Sequence, residues 1–201
     1  MARLQLSKSS LSRESKQLAA FRRFLPSLDL KRRQLMAERA KAREQLAATQ
    51  SEIEETLRHV GQSIPMLANV NVDLTDLARV TDVEIETENI VGTRLPKLKQ
   101  VEIEVRDYST MGKPHWVDRV VEALRLMVEL RLRQQVERRR LDLLEEGVKK
   151  VTQRVNLFDK VLIPRAEENI KKIKIFLGDA ERAGVVNSKL AKGKQRAQAT
   201  P

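Results

Sequence analysis

The sequence predicts a mainly α-helical chain in which two long helices, one from each end, pair antiparallel as a coiled coil, with a short β-hairpin inserted at the end distal to the termini. Three observations predict it. Apolar residues recur at three- and four-residue steps through both ends of the chain, and a period of two occupies the middle. The composition is 33% charged and 3% aromatic, which starves a globular core of large side chains while suiting solvated helices.

The C-terminal part carries the strongest pattern. Leu141, Leu144, Val148, Val151, Val155, Phe158 and Leu162 alternate steps of three and four, the seam of a heptad repeat. Ala166, Ile170, Ile173 and Leu177 extend it after one irregular step. Upstream, between Leu132 and Leu141, the pattern weakens into an Arg- and Gln-rich run and reads as a stutter. A seam this long needs a partner helix, and the N-terminal part supplies one. There Leu35, Leu46, Ile53, Leu57, Val60 and Ile64 form a narrow stripe, preceded by Leu18, Phe21, Leu25 and Leu28. Pro26 lies within the earlier run and lacks a backbone donor, so a kink or break is expected near it. The predicted coiled-coil core is therefore Leu46, Ile53, Leu57 and Val60 against Leu141, Leu144, Val148, Val151, Val155, Phe158 and Leu162.

The middle changes period. Val83 and Ile85 alternate with Glu84 and Glu86, and Val101 and Ile103 with Glu102 and Glu104, as half-exposed strands do. Gly92 and Pro96 punctuate the gap between them. Two such strands make a hairpin, marginal by itself in water and in need of a covering partner. The expected division is thus residues 1–64, the N-terminal long helix; 65–114, a middle region with a short helix and the hairpin; 115–180, the C-terminal long helix; and 181–201, a flexible basic tail, its Lys, Ala, Gln and Gly reading as disorder.

Charge narrows the partners. The chain carries 39 Lys and Arg against 28 Asp and Glu, a net +11, so an acidic counterpart is expected. Both ends are basic, whereas residues 66–90 hold one Arg against six acids. Antiparallel pairing would gather the basic ends at one tip and set the acidic region at the other. Basic runs such as Lys31 to Arg33, Arg138 to Arg140 and Lys189 to Arg196 lack interleaved aromatics, which disfavours nucleic acid as the target. No secretory signal pattern opens the sequence, and apolar runs such as Val161 to Ile163 are far too short to span a bilayer, so membrane association is expected to be indirect.

The chemistry-bearing residues are sparse. No phosphate-cradling Gly-rich loop with Lys is present, there is no Cys, and His59 and His115 stand outside any metal-ligand spacing. The paired carboxylates Glu145-Glu146 and Glu167-Glu168 read as solvated helix faces. No catalytic residue, cofactor or metal is expected.

The stretch from Arg154 through Val155-Asn156-Leu157-Phe158-Asp159-Lys160-Val161-Leu162-Ile163-Pro164 to Arg165, continued from Glu168 to Asp179, closely resembles the C-terminal signature of the D subunits of V-type and A-type ATPases. A second segment, Asp82 to Glu86 followed by Asn89-Ile90-Val91-Gly92-Thr93-Arg94-Leu95-Pro96, is similar to that family's middle region. Pro26 interrupts the otherwise continuous basic opening helix of the family, and Ala180 stands where Gln is usual. The resemblance implies a left-handed coiled coil working as the central rotor shaft of a rotary ATPase or ATP synthase, coupling ATP hydrolysis or synthesis in the catalytic head to ion translocation. It implies as partners the catalytic and non-catalytic head subunits, a small companion stalk subunit and a socket subunit on the membrane ring. It places the chain peripherally on the cytoplasmic side of a membrane. Carried onto this sequence, the head-contact residues would be Arg154, Asn156, Lys160, Arg165, Asn169, Lys171, Lys172, Lys174 and Asp179. The companion-subunit contacts would be Val83, Ile85, Val101, Ile103, Arg138 and Arg139. A generic coiled-coil adaptor with no rotary role is the alternative.

Overall fold

A computed structural model describes residues 4–68, 77–108 and 114–198. Its elements are helix α1 (Lys8–Ser63), a 3-10 turn (Pro65–Ala68), strands β1 (Ala78–Ile90) and β2 (Thr93–Val105), helix α2 (Val117–Leu157), a π-helical turn (Phe158–Leu162) and helix α3 (Ile163–Gln198). The chain divides into two compact units, one formed by Met1–Leu30 with Val151–Pro201 and the other by Lys31–Lys150.

α1 starts at a serine cap. The Ser7 hydroxyl accepts from the Ser10 amide at 3.2 Å, satisfying one of the four N–H groups that a helix start leaves open. From there a strict three/four rhythm of shielded positions runs down the helix: Leu18, Phe21, Leu25, Leu28, Arg32, Leu35, Arg39, Ala42, Leu46, Thr49, Ile53, Thr56 and Val60. This rhythm corrects two expectations. Leu57 is 51% exposed, because the seam position beside it belongs to Thr56, whose hydroxyl is satisfied by donating to the Glu52 carbonyl at 2.7 Å. The helix also continues through Pro26, so of the expected kink or break the break does not occur. An interior proline costs about 3 kcal/mol of helix stability, and here the seam residues on either side of it, Leu25 and Leu28, stay in phase and half-buried.

Along α2 the same rhythm covers Val120, Ala123, Met127, Leu130, Gln134, Glu137, Leu141, Leu144, Val148, Val151 and Val155. The stutter anticipated near residues 132–141 is absent. The repeat continues there on Gln134 and Glu137, so it is polarity that changes and not phase. Of the other seam residues expected from sequence, Ile53, Leu144, Val148, Val151 and Val155 are buried, and Leu46, Val60, Leu141, Phe158 and Leu162 are half-buried.

In the unit formed by Met1–Leu30 and Val151–Pro201, the helix ends pair antiparallel. The Phe21 and Phe158 rings meet edge to face with centroids 5.4 Å apart, a geometry that aligns the positive ring edge with the negative ring face. Arg22 reaches Glu167 at 2.6 Å, and Asn169 donates to Glu14 at 3.2 Å. Past Asp179 every described side chain is exposed, yet the backbone remains helical to Gln198 instead of forming the flexible tail expected. Ala, Lys, Gln and Arg are good helix formers, so the composition that suggests disorder also permits a solvated helix.

In the unit formed by Lys31–Lys150, β1 and β2 pair antiparallel over their full length, closed by Val91 and Gly92, both at positive φ (52° and 77°). That turn suits a two-residue hairpin, but it places a β-branched side chain in the left-handed region. Bulges between Val80 and Asp82 and between Glu84 and Ile85 shift the register. They bring Val80 opposite Ile103, Val83 opposite Val101 and Ile85 opposite Leu98, so apolar residues that change parity along the sequence still pair across the ribbon. The hairpin is held at its two ends. Its base enters a core of Ile64, Leu77, Trp116, Val117, Val120 and Val121, with Val60, Val105 and Tyr108 packed against it. Its far end folds back along the helices: Leu95 is fully buried, a methyl placed on Gly147 would lie 3.5 Å from Thr93, and one on Gly92 would lie 3.3 Å from the Lys31 ammonium. The helix pair is thus the cover that a lone hairpin needs.

Candidate docking surfaces

The residues expected to meet a head lie on the end of α2, the π turn and α3. Arg154, Asn156, Lys160, Arg165, Lys171, Lys172, Lys174 and Asp179 are exposed. Asn169 differs: half-buried and bonded to Glu14, it belongs to the seam. Lys172 has Glu168 within 3.5 Å and Asp179 has Arg182 within 3.1 Å, both on the same helix face, where such pairs contribute only a few tenths of a kcal/mol and leave the charges available. Around them stand Ile175, Phe176, Val185, Val186 and Leu190, each about half exposed. An apolar side chain on a solvated helix is ordinary; five on one helix, interspersed with Lys171, Lys172, Lys174, Lys189 and Lys192, make a surface that is both cationic and apolar.

The residues expected to meet a companion lie on the hairpin and mid-α2. Ile85 is exposed, Val83, Val101 and Ile103 are half-buried, and Arg138 and Arg139 point to solvent. β1 bears Asp82, Glu84, Glu86 and Glu88 against a single Arg79, so its exposed side is acidic, and Lys99 of β2 bridges to Glu84 at 2.7 Å. The third arginine of the 138–140 run has a different task. Arg140, with its side chain 16% exposed, donates to Glu88 at 2.9 Å and to the Pro96 carbonyl at 3.5 Å, fastening the hairpin to α2. Beneath that fastening a cleft of about 760 Å³ separates Pro96, Leu98 and Val101 from Gln45, Thr49 and Glu137. Sequence reasoning missed Arg140 because a run of three arginines looks uniform; only the seam phase separates its members.

Titration behaviour departs from the ordinary at the half-buried Tyr108 and the exposed Glu146. The Tyr108 hydroxyl donates to Asp118 at 2.5 Å, and that bond, followed by desolvation and the nearby negative charges of Asp118 and Glu122, holds the phenol above 10.0. The hydrogen bond from Lys150 and its charge hold Glu146 below the usual carboxylate range. Among the described residues no group of three potential metal ligands occurs. No described helix is long and apolar enough to cross a membrane.

The described residues form long helices and a hairpin fastened to one of them, with cationic, acidic and apolar patches on their exposed faces, the kind of surface on which other proteins dock. The sequence pattern of the ATP synthase D subunits matches residues 10–193. The D subunit of the V-type ATP synthase of Borreliella burgdorferi is 32% identical over 192 residues, covering 96% of this chain and 95% of the relative. Those of Chlamydia felis and Chlamydia muridarum are 34% and 33% identical, each over 96% of this chain and over 94% and 96% of their own lengths. The chain belongs to the ATP synthase D-subunit family, the central-stalk subunits of rotary ATPases of the V/A type.

Proposed function

We propose that this chain is the turning shaft of its ATPase, contributing no catalytic group and linking nucleotide turnover in a head to ion movement in a membrane ring. The observation that carries this reading is the solvated C-terminal part of α3, where Ile175, Phe176, Val185, Val186 and Leu190 stand about half exposed among lysines, Ile175 and Phe176 beside Leu4 and Leu6. A helix that leaves such residues in water gains by burial, at about 25 cal/mol per Å², when a partner surrounds it. The head-contact set of Arg154, Asn156, Lys160, Arg165, Lys171, Lys172, Lys174 and Asp179 supplies the charged rim of that surface. Asn169 acts from within, fixing α3 against α1.

The hairpin supplies the second contact. Ile85, Val83, Val101 and Ile103 on an acidic ribbon, with Arg138 and Arg139 on α2 next to the Arg140 that fastens the hairpin, suit the small companion subunit, and the Ile64 and Trp116 end suits a socket on the ring. The chain then sits peripherally on the cytoplasmic side and reaches the membrane only through its partners.

The test is co-purification of the tagged chain followed by ATPase assays on the complex with and without it. A hexameric head and a small stalk subunit should accompany it, and its removal should uncouple hydrolysis from ion transport. Recovery of the chain alone, or with nucleic acid, would overturn the proposal.

A further inference from the structure

Both helices of the pair formed by Met1–Leu30 and Val151–Pro201 lose their regular backbone ladder at the same level. On the C-terminal side the seam of α2 reaches Phe158 by alternating steps of three and four, then takes two steps of four, through Leu162 to Ala166, which is 4% exposed; a strict repeat would bury Arg165, which is exposed. The sequence therefore carries one residue more than the repeat allows. The π turn absorbs it, since the Ile163 amide bonds back to Phe158, five residues away instead of four. Pro164 follows directly and offers the Lys160 carbonyl no donor.

On the facing helix, Pro26 likewise leaves the Arg22 carbonyl without its usual donor, and Ser27 donates its hydroxyl to the Phe24 carbonyl at 2.8 Å, a side-chain bond that competes with the helix. The two interruptions are brought to one level by contacts just N-terminal to Pro26. Phe21 meets Phe158 edge to face and Arg22 pairs with Glu167, so along the antiparallel pair Pro26 falls opposite roughly residues 153–163, a span that contains the π segment. No residue of the π turn is buried, whereas Val151, Val155, Ala166 and Ile173 on either side of it are.

We infer that this level is a torsional joint: a place where the paired ends can over- and underwind about the Phe21–Phe158 contact while the buried layers above and below stay packed. Helix ladders resist twist through their hydrogen bonds, and sharp departures from regularity in helices concentrate at prolines and π-bulges. Here one of each lies on facing helices, and a further proline abuts the π turn. The inference concerns the helix pair itself and stands whether or not the chain transmits torque.

Amide hydrogen exchange of the full-length chain tests it. Peptides covering residues 22–30 and 158–168 should exchange about tenfold faster than those covering 32–50, 142–155 and 169–177, giving a local minimum of protection inside otherwise stable helices. Uniform exchange, or a smooth gradient toward the helix ends, overturns the joint. Deleting Val161, which is 49% exposed, restores a strict heptad count, and exchange across 158–168 should then slow to that of its neighbours. A folded deletion variant that still exchanges fast shows that the extra residue is not the cause, and overturns the inference. Should the deletion lose its helical circular dichroism, Pro164→Ala replaces it: slower local exchange is expected, and unchanged exchange counts against the joint.

Discussion

Gly147 sits in mid-α2, where the far end of the hairpin comes down on the helix, and replacing it probes that seat directly. A glycine inside a helix costs about 0.5–1 kcal/mol relative to alanine, because its unfolded backbone is freer. The added methyl of Gly147→Ala would meet Thr93 Oγ1 at 3.5 Å, Leu35 Cδ1 at 3.8 Å and Thr93 Cγ2 at 3.9 Å, all ordinary van der Waals distances that require no displacement. The expected outcome is a gain of about 0.5–1 kcal/mol, or a melting temperature higher by about 1–4 °C for a chain of this size. Gly147→Leu adds a branched side chain into the same space and should instead cost about 1–3 kcal/mol by overpacking. The assay is thermal unfolding followed by far-ultraviolet circular dichroism, with exchange at residues 88–96 reporting whether the hairpin stays down. A destabilised alanine variant would mean that the hairpin lies closer than these distances. A fully tolerated leucine would mean that the hairpin does not rest there.

Other predictions follow from burial, backbone geometry and charge. Leu144→Ala, at a fully buried position, should cost about 2–5 kcal/mol, while Leu57→Ala should stay within about 0.5 kcal/mol; denaturant titration of the two variants separates a seam residue from an exposed one. Val91→Asn should stabilise by about 1 kcal/mol, since asparagine tolerates the φ of 52° that a β-branched residue does not, and an unchanged or lower melting temperature would refute the strain. Arg140→Ala should cost about 1 kcal/mol, Glu88 being half solvated, and should speed exchange at the end of the hairpin without affecting α1. Tyr108 is the only tyrosine, so ultraviolet titration reads it alone: its midpoint should lie above 10.0 and return toward that value in Asp118→Asn. Because the folded value is the higher one, the bond's contribution is complete below the unfolded value of 10.0 and is lost as pH rises through the folded midpoint.

The fold was legible where apolar residues mark a period. The seam from Leu141 to Leu162 and the alternation around Val83 and Val101 declared helix and strand, because burial imposes those periods on any chain that forms them. Legibility failed where the buried positions are polar. Arg32, Arg39, Thr49, Thr56, Gln134 and Glu137 keep the repeat without looking like it, so Leu57 drew attention from Thr56, and an unbroken helix looked like a stutter. Pro26 was legible in part: its lost bond is real, but packing on both sides of it keeps the helix continuous where a break was one of the two outcomes expected. The bulges were invisible because Val80 and Leu98 stand out of parity with Val83 and Val101. For the docking surfaces, the sequence marked exposed cations correctly as charged, but could not tell Arg138 and Arg139 from Arg140, or Asn169 from its neighbours, since that distinction depends on the phase of one helix against another.

The polar seam positions have a mechanical meaning. Two smooth apolar stripes can slide past one another by a whole heptad at little cost, because each new position resembles the last. Here a slide would carry Thr49, Gln134 or Glu137, one of whose carboxylate oxygens is already enclosed without a hydrogen-bond partner, against leucine and valine layers that have nothing to offer them. The irregular spacing of these groups works like the cuts of a key: one axial setting keeps them clear of the apolar layers, so a load along the helices meets resistance to shear before any helix begins to unwind.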